Sequence, residues 1–443
     1  MNKQGYDELN ISQTPALEVL EKIGYVIIKP EDAELIRGNL YNVTLKPILQ
    51  TQLEVINSYE YKGQVYKFSP SNIQKAIQDI DVALTDGLIK TNEKIYDLLT
   101  LGKSYEERIS KTDGVRSFNM NYIDYEHPER NVFHAVEEFA VEREDGQGHV
   151  RPDIVLFING IPFAVIECKK ASVSINQGIS QMLRNQAMQY APQLFKFVQI
   201  VMSTNKNETK YSTVGTPAKF WSLWKEDKQS DEFEWFEKTL AETVNDRVPT
   251  IQDQNIISLF HPKRVLDIIP YFLLFDRHEK KITRYQQYFA IKEIIKTIKE
   301  QDREGNRQSG VIWHTQGSGK SLTMVMLSKY LLSALSKEHP QLVVVTDRIE
   351  LDAQIHKTFN HSRLKAARAT SGKNLVNLIE NKKADVITTL VHKFDIAAKN
   401  QAPVKSKNVF VLVDESHRTQ YGELHIKMKQ VFPNACYLGF TGT

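Results

Sequence analysis

A short apolar run, GVIWH over residues 310–314, leads directly into Thr315-Gln316-Gly317-Ser318-Gly319-Lys320-Ser321 and then into LTMVMLSKYLLSAL. Strand, glycine-rich turn and helix in that order admit few architectures, because a buried strand feeding a helix is the repeating unit of a parallel α/β sheet. Glycines allow successive N–H groups to turn inward on an anion, at a helix N-terminus whose dipole already favours negative charge. In the G-x-x-x-x-G-K-[ST] pattern Lys320 is the residue that reaches the β- and γ-phosphates and Ser321 the one that meets Mg²⁺. The chain departs from that pattern at its first position, where His314 stands in place of glycine. Residues Thr315 to Ser321 are therefore expected to cradle the phosphates of a nucleotide such as ATP.

Downstream, LVVVT, DVITT, VFVLVDE and CYLGFTGT supply four more apolar strand runs separated by helical stretches, which extends the parallel α/β reading to the last residue. VFVLVDE ends in adjacent carboxylates, Asp414 and Glu415. A nucleotide site needs such a pair, the first to hold Mg²⁺ and the second to polarise the attacking water. Acidic pairs are common at strand ends, so their weight here comes from the phosphate loop upstream. The basic stretch Arg363, Lys365, Arg368 and Lys373 is expected to be a solvated helix face rather than a nucleic-acid path.

The front half has a different pattern. SFNMNYI, NVFHAVEEFAV, RPDIVLFI and IPFAVIECK read as successive strands of a meander, followed by a helix over about 176–190 and a further strand, FVQIVMS. Within the meander Asp153, Glu167 and Lys169 form P-D-x₁₃-E-x-K. Two carboxylates can hold Mg²⁺, the Cys168 carbonyl can add a ligand, and Lys169 can steady a water beside a phosphodiester. Strand alternation puts Glu167 and Lys169 on one face and Cys168 on the other. The simpler alternative is a structural Glu167–Lys169 ion pair. Gln186 and Tyr190, four apart on the expected helix, would share a face and could reach back to this site. Residues 12–110 mix helical periodicity with polar turns and contain no internal repeat or low-complexity tract.

The hairpin itself sets a condition. Asn159-Gly160 suggests a two-residue type I′ turn pairing Ile158 with Ile161, which sets Asp153 opposite Ile166 and sends Glu167 to the other face. A metal centre on these strands therefore requires an odd-numbered loop or a bulge.

A chain of 443 residues is long enough for two or three domains, and its 41% hydrophobic and 25% charged content is that of folded, globular protein. The formal net charge of +3 means a nucleic-acid partner would be held by local basic surfaces. Cys168 and Cys436 both lie in apolar strand runs, which argues against a disulfide framework or a zinc site. The polar N-terminus lacks an apolar signal core, so a cytoplasmic protein is the expectation.

Residues from about 280 onward resemble the first RecA-like domain of superfamily-two helicases in their DEAD-box-related form. Arg284 to Gln287 resembles the adenine-reading Gln motif, with Gln287 as reader. Thr346-Asp347-Arg348 and Thr388-Thr389 resemble segments that grip the nucleic-acid backbone, and Thr441-Gly442-Thr443 the loop linking hydrolysis to strand movement. The front half resembles the PD-(D/E)xK nuclease fold, in the RecB-like branch with a Q-x-x-x-Y helix; such families often add an earlier acid, here Glu18 or Glu21. Nuclease first and motor second, together with SQTPALEVLEKIGY, TNEKIYDLLTLGKS, RPDIVLFINGIPFAVIECKK and TPAKFW, resembles the restriction (R) subunit of type I restriction-modification enzymes.

That resemblance implies a nuclease domain over 1–260 and a first motor domain over 261–443. It also implies Mg²⁺ and ATP as cofactors, double-stranded DNA as substrate, and assembly with methyltransferase (M) and specificity (S) subunits. A free-standing repair or defence helicase-nuclease and a catalytically silent DNA-binding subunit are the alternatives. Because Thr443 directly follows the fifth motor strand, the chain is expected to be an excerpt lacking a second RecA-like domain and its arginines, which are typically worth about 10³ to 10⁵ in rate. This 443-residue chain is thus expected to bind ATP–Mg²⁺ through Lys320 while showing little DNA-stimulated hydrolysis. Robust DNA-dependent phosphate release in a steady-state assay would contradict the expectation.

Overall fold

A computed structural model describes residues 12–110, 113–276, 278–313, 319–346, 352, 355, 356, 359, 364–400, 402–414 and 421–442. The chain divides into two compact units, one of Met1–Pro270 with His278–Tyr285 and one of Tyr271–Arg277 with Gln286–Thr443.

The first unit is built on six strands: β1 (Val26–Ile28), β2 (Phe133–Glu137), β3 (Ile154–Ile158), β4 (Ile161–Cys168), β5 (Ile200–Thr204) and β6 (Thr209–Ser212), adjacent in that order. The sheet is mixed: β1 with β2 and β4 with β5 are parallel, and the remaining neighbours are antiparallel. β3 and β4 are buried along their whole length, which is why they read as continuous apolar runs without alternation. The helices used below are α1 (Thr14–Lys22), α2 (Lys46–Ile56), α3 (Ile175–Asn185) and α4 (Ile251–Phe260). Helix α3 lies in the crossover that the parallel β4–β5 pairing requires.

The expected meander is confined to β2, β3 and β4. The SFNMNYI run instead lies largely in a strand, Gly114–Met120, that pairs with Lys103–Ser110 in a separate ribbon. Phe118 and Met120, two apart and so on one face, still pack inward, Phe118 stacking on Tyr59 at 4.1 Å and Met120 fully buried, while Val115, Arg116, Ser117 and Asn119 are exposed. The helix expected over about 176–190 ends at Asn185. The Tyr190 N–H turns back to the Ala187 carbonyl and the Ala191 N–H to Asn185, while Pro192 opens the next short helix. Gln186 and Tyr190 therefore do not share a helix face.

The β3–β4 hairpin contains both the turn suggested by Asn-Gly and a bulge. Asn159 and Gly160 have φ of 52° and 81°, as a type I′ turn needs, and Ile158 pairs with Ile161. The register then shifts between Pro162 and Ala164, so that Leu156 pairs with Ala164 and Ile154 with Ile166. One step further along this ladder Asp153 comes opposite Glu167. Phe163, fully buried, is the extra residue, next to a proline that has no N–H to give the ladder.

Neighbouring loops pin the turn. The Asn159 side chain accepts from Val132 N–H (2.9 Å) and donates to the Tyr122 carbonyl (3.0 Å) and Asn131 Oδ1 (2.8 Å). The Gly160 carbonyl accepts from Leu45 N–H at 2.8 Å, at the start of α2.

The second unit contains β7 (Gly310–Trp313), β8 (Gln341–Thr346), β9 (Ala366–Arg368), β10 (Val386–Leu390), β11 (Val409–Asp414) and β12 (Cys436–Thr441), in the spatial order β7-β12-β11-β8-β10-β9. All its pairings are parallel. Val343, Val345, Ile387, Val411 and Val413 form one of the two buried sheet faces, packed by Leu375, Phe394, Met428 and Phe432. Helices α5 (Tyr285–Lys299), α6 (Lys320–Ala334) and α7 (Gly372–Glu380) are the ones that matter below. The five strand runs read from sequence are all present, and the fold is α/β in both units, a mixed sheet with helices and then a parallel sheet. The basic stretch is not one helix face: Arg368 lies on the edge strand β9, too short to show a pattern, and Lys373 lies in α7. Arg363 is outside the described residues.

A Cβ at Gly160 would meet Leu45 O at 2.7 Å and Leu49 N at 2.9 Å, on a backbone that already has positive φ. Gly160→Ala is expected to lower stability by about 1–3 kcal/mol, read as a shift of the urea midpoint at unchanged slope. A variant as stable as the parent would show that the turn is not held as described.

Candidate functional site

In the first unit, the bulge brings together an acidic centre. Asp153 stands at the entrance to β3, and its Oδ2 accepts the Cys168 backbone N–H at 2.7 Å. The Lys169 ammonium lies 3.6 Å from Asp153 Oδ2 and 3.4 Å from Glu167 Oε2. Glu167 is fully buried, and its Oε1 has no hydrogen-bond partner. Burial first, and the Asp153 charge second, push the Glu167 carboxyl well above its usual range, while Lys169 pulls the other way.

A buried carboxylate with an unmet oxygen facing a second carboxylate is costly by itself, and a hard divalent cation takes oxygen ligands of this kind. The residues therefore fit a divalent cation such as Mg²⁺, which Asp153 and Glu167 could hold. Among the described residues no group of three or more His, Cys, Asp or Glu side chains could hold a metal. A cation here would complete its shell from backbone, water and substrate, as Mg²⁺ commonly does.

Several contacts around the centre carry no local sequence signal. Gln13, just before α1, donates to the Asp153 carbonyl at 3.0 Å. Gln252 of α4 donates to Ser12 Oγ at 3.0 Å and to Cys168 Sγ at 3.7 Å, on the sheet face away from Glu167. Gly178 of α3 has a reason that could have been suspected, since a glycine inside a helix often marks close packing. A Cβ there would stand 3.3 Å from Glu167 Cβ and 2.3 Å from Ser203 Oγ.

Gln186, at the end of α3, is buried and accepts from Gly215 N–H at 2.8 Å, with its Nε2 unpartnered. The Tyr190 ring lies beneath the guanidinium groups of Arg143 (4.3 Å) and Arg184 (5.6 Å). The contacts of these two side chains thus lead to Gly215 and the arginines rather than to the carboxylates. Glu18 and Glu21 are exposed on α1.

In the second unit, the carboxyl ends of parallel strands converge, the usual place for a ligand crevice in such sheets. Gly319, with φ of 90°, opens α6. Lys320 reaches Asp414 Oδ1 at the end of β11, at 2.6 Å. Gln287 of α5 donates to Thr323 Oγ1 at 3.0 Å and to the Gly319 carbonyl at 3.4 Å, bracing the loop exit from one side. Ser321 is half-buried in the first turn of α6. Thr315, Gln316, Gly317, Ser318 and Glu415 lie outside the described residues, as do Asp347, Arg348 and Thr443. Thr346, Thr388 and Thr389 are fully buried within their strands, so their side chains are not placed to grip a nucleic-acid backbone. Parallel strands in the middle of a sheet bury both faces, and short threonine runs there pack as β-branched residues.

Residues 5–220 match the family model of the type I restriction enzyme R protein N terminus, and residues 286–443 match that of the SWI2/SNF2 ATPase. A Methanocaldococcus jannaschii chain assigned as the MjaIXP type I restriction enzyme endonuclease subunit is 30% identical over 400 residues, covering 83% of this chain and 38% of that one. The type I restriction enzyme HindI endonuclease subunit of Haemophilus influenzae is 28% identical over 429 residues, covering 87% of this chain and 38% of its own length. The chain thus spans about two fifths of the curated relatives it matches. Matched at both ends of its length, with nuclease-type motifs in the first stretch and ATPase motifs in the second, the chain belongs to the type I restriction enzyme R proteins.

Proposed function

We propose that the chain carries the Mg²⁺-dependent nuclease and the ATP-driven motor of a type I restriction endonuclease, in which DNA translocation is coupled to double-strand cleavage. The observation that carries the nuclease half is the bulged ladder that leads Asp153 to Glu167, with Lys169 between their oxygens. In this reading Mg²⁺, when bound, supplies charge to the scissile phosphate and lowers the pKa of a coordinated water. Asp153 and Glu167 hold it, and Lys169 exchanges its carboxylate contacts for the attacking water or the phosphate. ATP use by the motor follows from the ATPase match. With nucleotide bound, Lys320 would hold the β- and γ-phosphates, and Asp414 and Ser321 would hold the accompanying Mg²⁺. Gln287 would read the base, and Glu415 would orient the attacking water.

The partners proposed are double-stranded DNA and the M and S subunits, with sequence recognition lying outside this chain. A cytoplasmic location belongs to the same proposal. Among the described residues no helix is long and apolar enough to cross a membrane.

Because the two centres use different residues in different units, they should fail separately. In the complete enzyme Lys169→Ala and Asp153→Ala are expected to lower cleavage by at least about 10²-fold while ATP turnover stays within twofold or so of the parent. Lys320→Ala should stop turnover, and with it translocation and translocation-dependent cleavage. Normal cutting by Lys169→Ala, measured on a circular substrate with ATP and Mg²⁺, would refute the nuclease assignment.

A further inference from the structure

The two carboxylates of the first unit are held in unequal ways. Glu167 is fixed from both sides, since it stands within β4 in register with Ser203 of β5, and Gly178 of α3 closes on its Cβ. Asp153 lies just outside β3, one step beyond Ile154–Ile166, the last rung of the β3–β4 ladder. No rung of that ladder therefore sets the distance between the two positions. The bond that the β4 backbone does provide, from Cys168 N–H, falls on the Asp153 carboxylate itself (2.7 Å).

The main chain of Asp153 is held from elsewhere. Its carbonyl accepts from Glu138 N–H at 2.9 Å and from Gln13 Nε2 at 3.0 Å. One donor already satisfies a buried carbonyl, so the second is not needed to rescue an orphaned acceptor; two donors on its two lone pairs fix how the peptide is turned. Gln13 is itself immobilised, at 3% exposure. Its neighbour Ser12, fully buried, accepts from Gln252 Nε2 at 3.0 Å, and the same amide reaches Cys168 Sγ at 3.7 Å. An amide nitrogen carries two hydrogens, so both contacts can be made at once. Gln252 lies in the first turn of α4, which the Thr250 capping box and the Arg247–Asp253 ion pair (2.6 Å) hold in place. Ser12 and Gln13 thus tie the entrance of β3 and the end of β4 to α4, at the point where the ladder has run out. The Gln252–Cys168 contact is on the sheet face away from Glu167, so this brace leaves the carboxylate side clear.

We propose that Gln13, braced through Ser12 and Gln252, is a positioning residue of the cation centre: it sets where Asp153 stands relative to Glu167, and so how tightly a divalent ion is held. The proposal rests on the reading of Asp153 and Glu167 as one cation site. Mg²⁺ accepts little departure from ideal ligand geometry, and groups that orient metal ligands are typically worth about 10- to 100-fold in affinity. A purely structural role, satisfying polar groups ahead of α1, would not require both contacts to converge on the residues flanking that centre.

The test replaces each amide by an apolar side chain of similar length, Gln13→Met and Gln252→Met, in the intact protein. Mn²⁺ binding is followed by electron paramagnetic resonance without nucleotide. Gln13→Met is expected to weaken binding by about tenfold or more, and Gln252→Met, one contact further away, to weaken it less. In the complete enzyme the Mg²⁺ concentration for half-maximal cleavage should rise by the same factor, with most of the rate recovered at saturating Mg²⁺ and ATP turnover unaffected. General loss of structure would instead lower the rate at every Mg²⁺ concentration. If Gln13→Met does not fold, Gln252→Met carries the test alone. If the parent binds no Mn²⁺, or binds it equally well after Asp153→Asn, the cation reading itself fails. If Asp153→Asn abolishes binding while folded Gln13→Met and Gln252→Met keep the parent's affinity and Mg²⁺ dependence, the cation site stands and the positioning role is overturned.

Discussion

The first unit turns on a single extra residue. Asn159-Gly160 makes an even, two-residue turn, and on a regular ladder such a turn would put Asp153 and Glu167 on opposite faces of the sheet. The bulge at Phe163 shifts the ladder by one and leads the two carboxylates to the same face. Much of the surrounding structure holds that register. Asn159 is tied to three neighbouring backbone and side-chain groups, Gly160 sits against the start of α2, and Gln13 holds the Asp153 carbonyl. Bulges cluster beside active sites because they re-aim side chains, and this one re-aims Glu167 and Lys169 together.

The resulting centre is electrostatically expensive in isolation. Two acids and one lysine share a small, mostly buried volume, and Glu167 keeps one oxygen without a partner. Lys169 offsets only part of the repulsion, since burial and Asp153 still outweigh it at Glu167. Stability alone would favour an apolar residue at position 167, in the middle of IPFAVIEC. In the second unit the corresponding tension is relieved internally, because Lys320 lies against Asp414. That contact joins the cation of the phosphate loop to the acid proposed for the nucleotide's metal, two groups that strand-end geometry alone brings together.

What could be read from sequence follows the range of the interactions. Continuous apolar runs identified β3, β4, β8, β10, β11 and β12, since burial on both faces leaves a signal within each run. Spacing along neighbouring strands placed Asp153, Glu167 and Lys169 together, provided the ladder slipped by one. Features decided at a distance were not visible. The Gln13–Asp153 contact spans 140 positions, and Gln252 meets Cys168 across 84. The end of α3 at Asn185 depends on a turn closed by Ala191 N–H, which the apolar periodicity through Tyr190 conceals. SFNMNYI alternates well enough to be a strand, but its pairing with Lys103–Ser110 in place of the core sheet is decided by a neighbour outside the run. Thr388 and Thr389 resemble nucleic-acid contacts in sequence, whereas their burial makes them part of the sheet interior.

The central claim is that Asp153 and Glu167 form one cation site. Electron paramagnetic resonance of Mn²⁺ titrated into the nucleotide-free protein reads that directly, because bound and free ions are distinguishable. The account predicts a bound Mn²⁺ that disappears in Asp153→Asn and in Glu167→Gln and persists in Asp414→Asn. Absence of bound Mn²⁺ in the parent, or a bound signal indifferent to both first-unit substitutions, would contradict it.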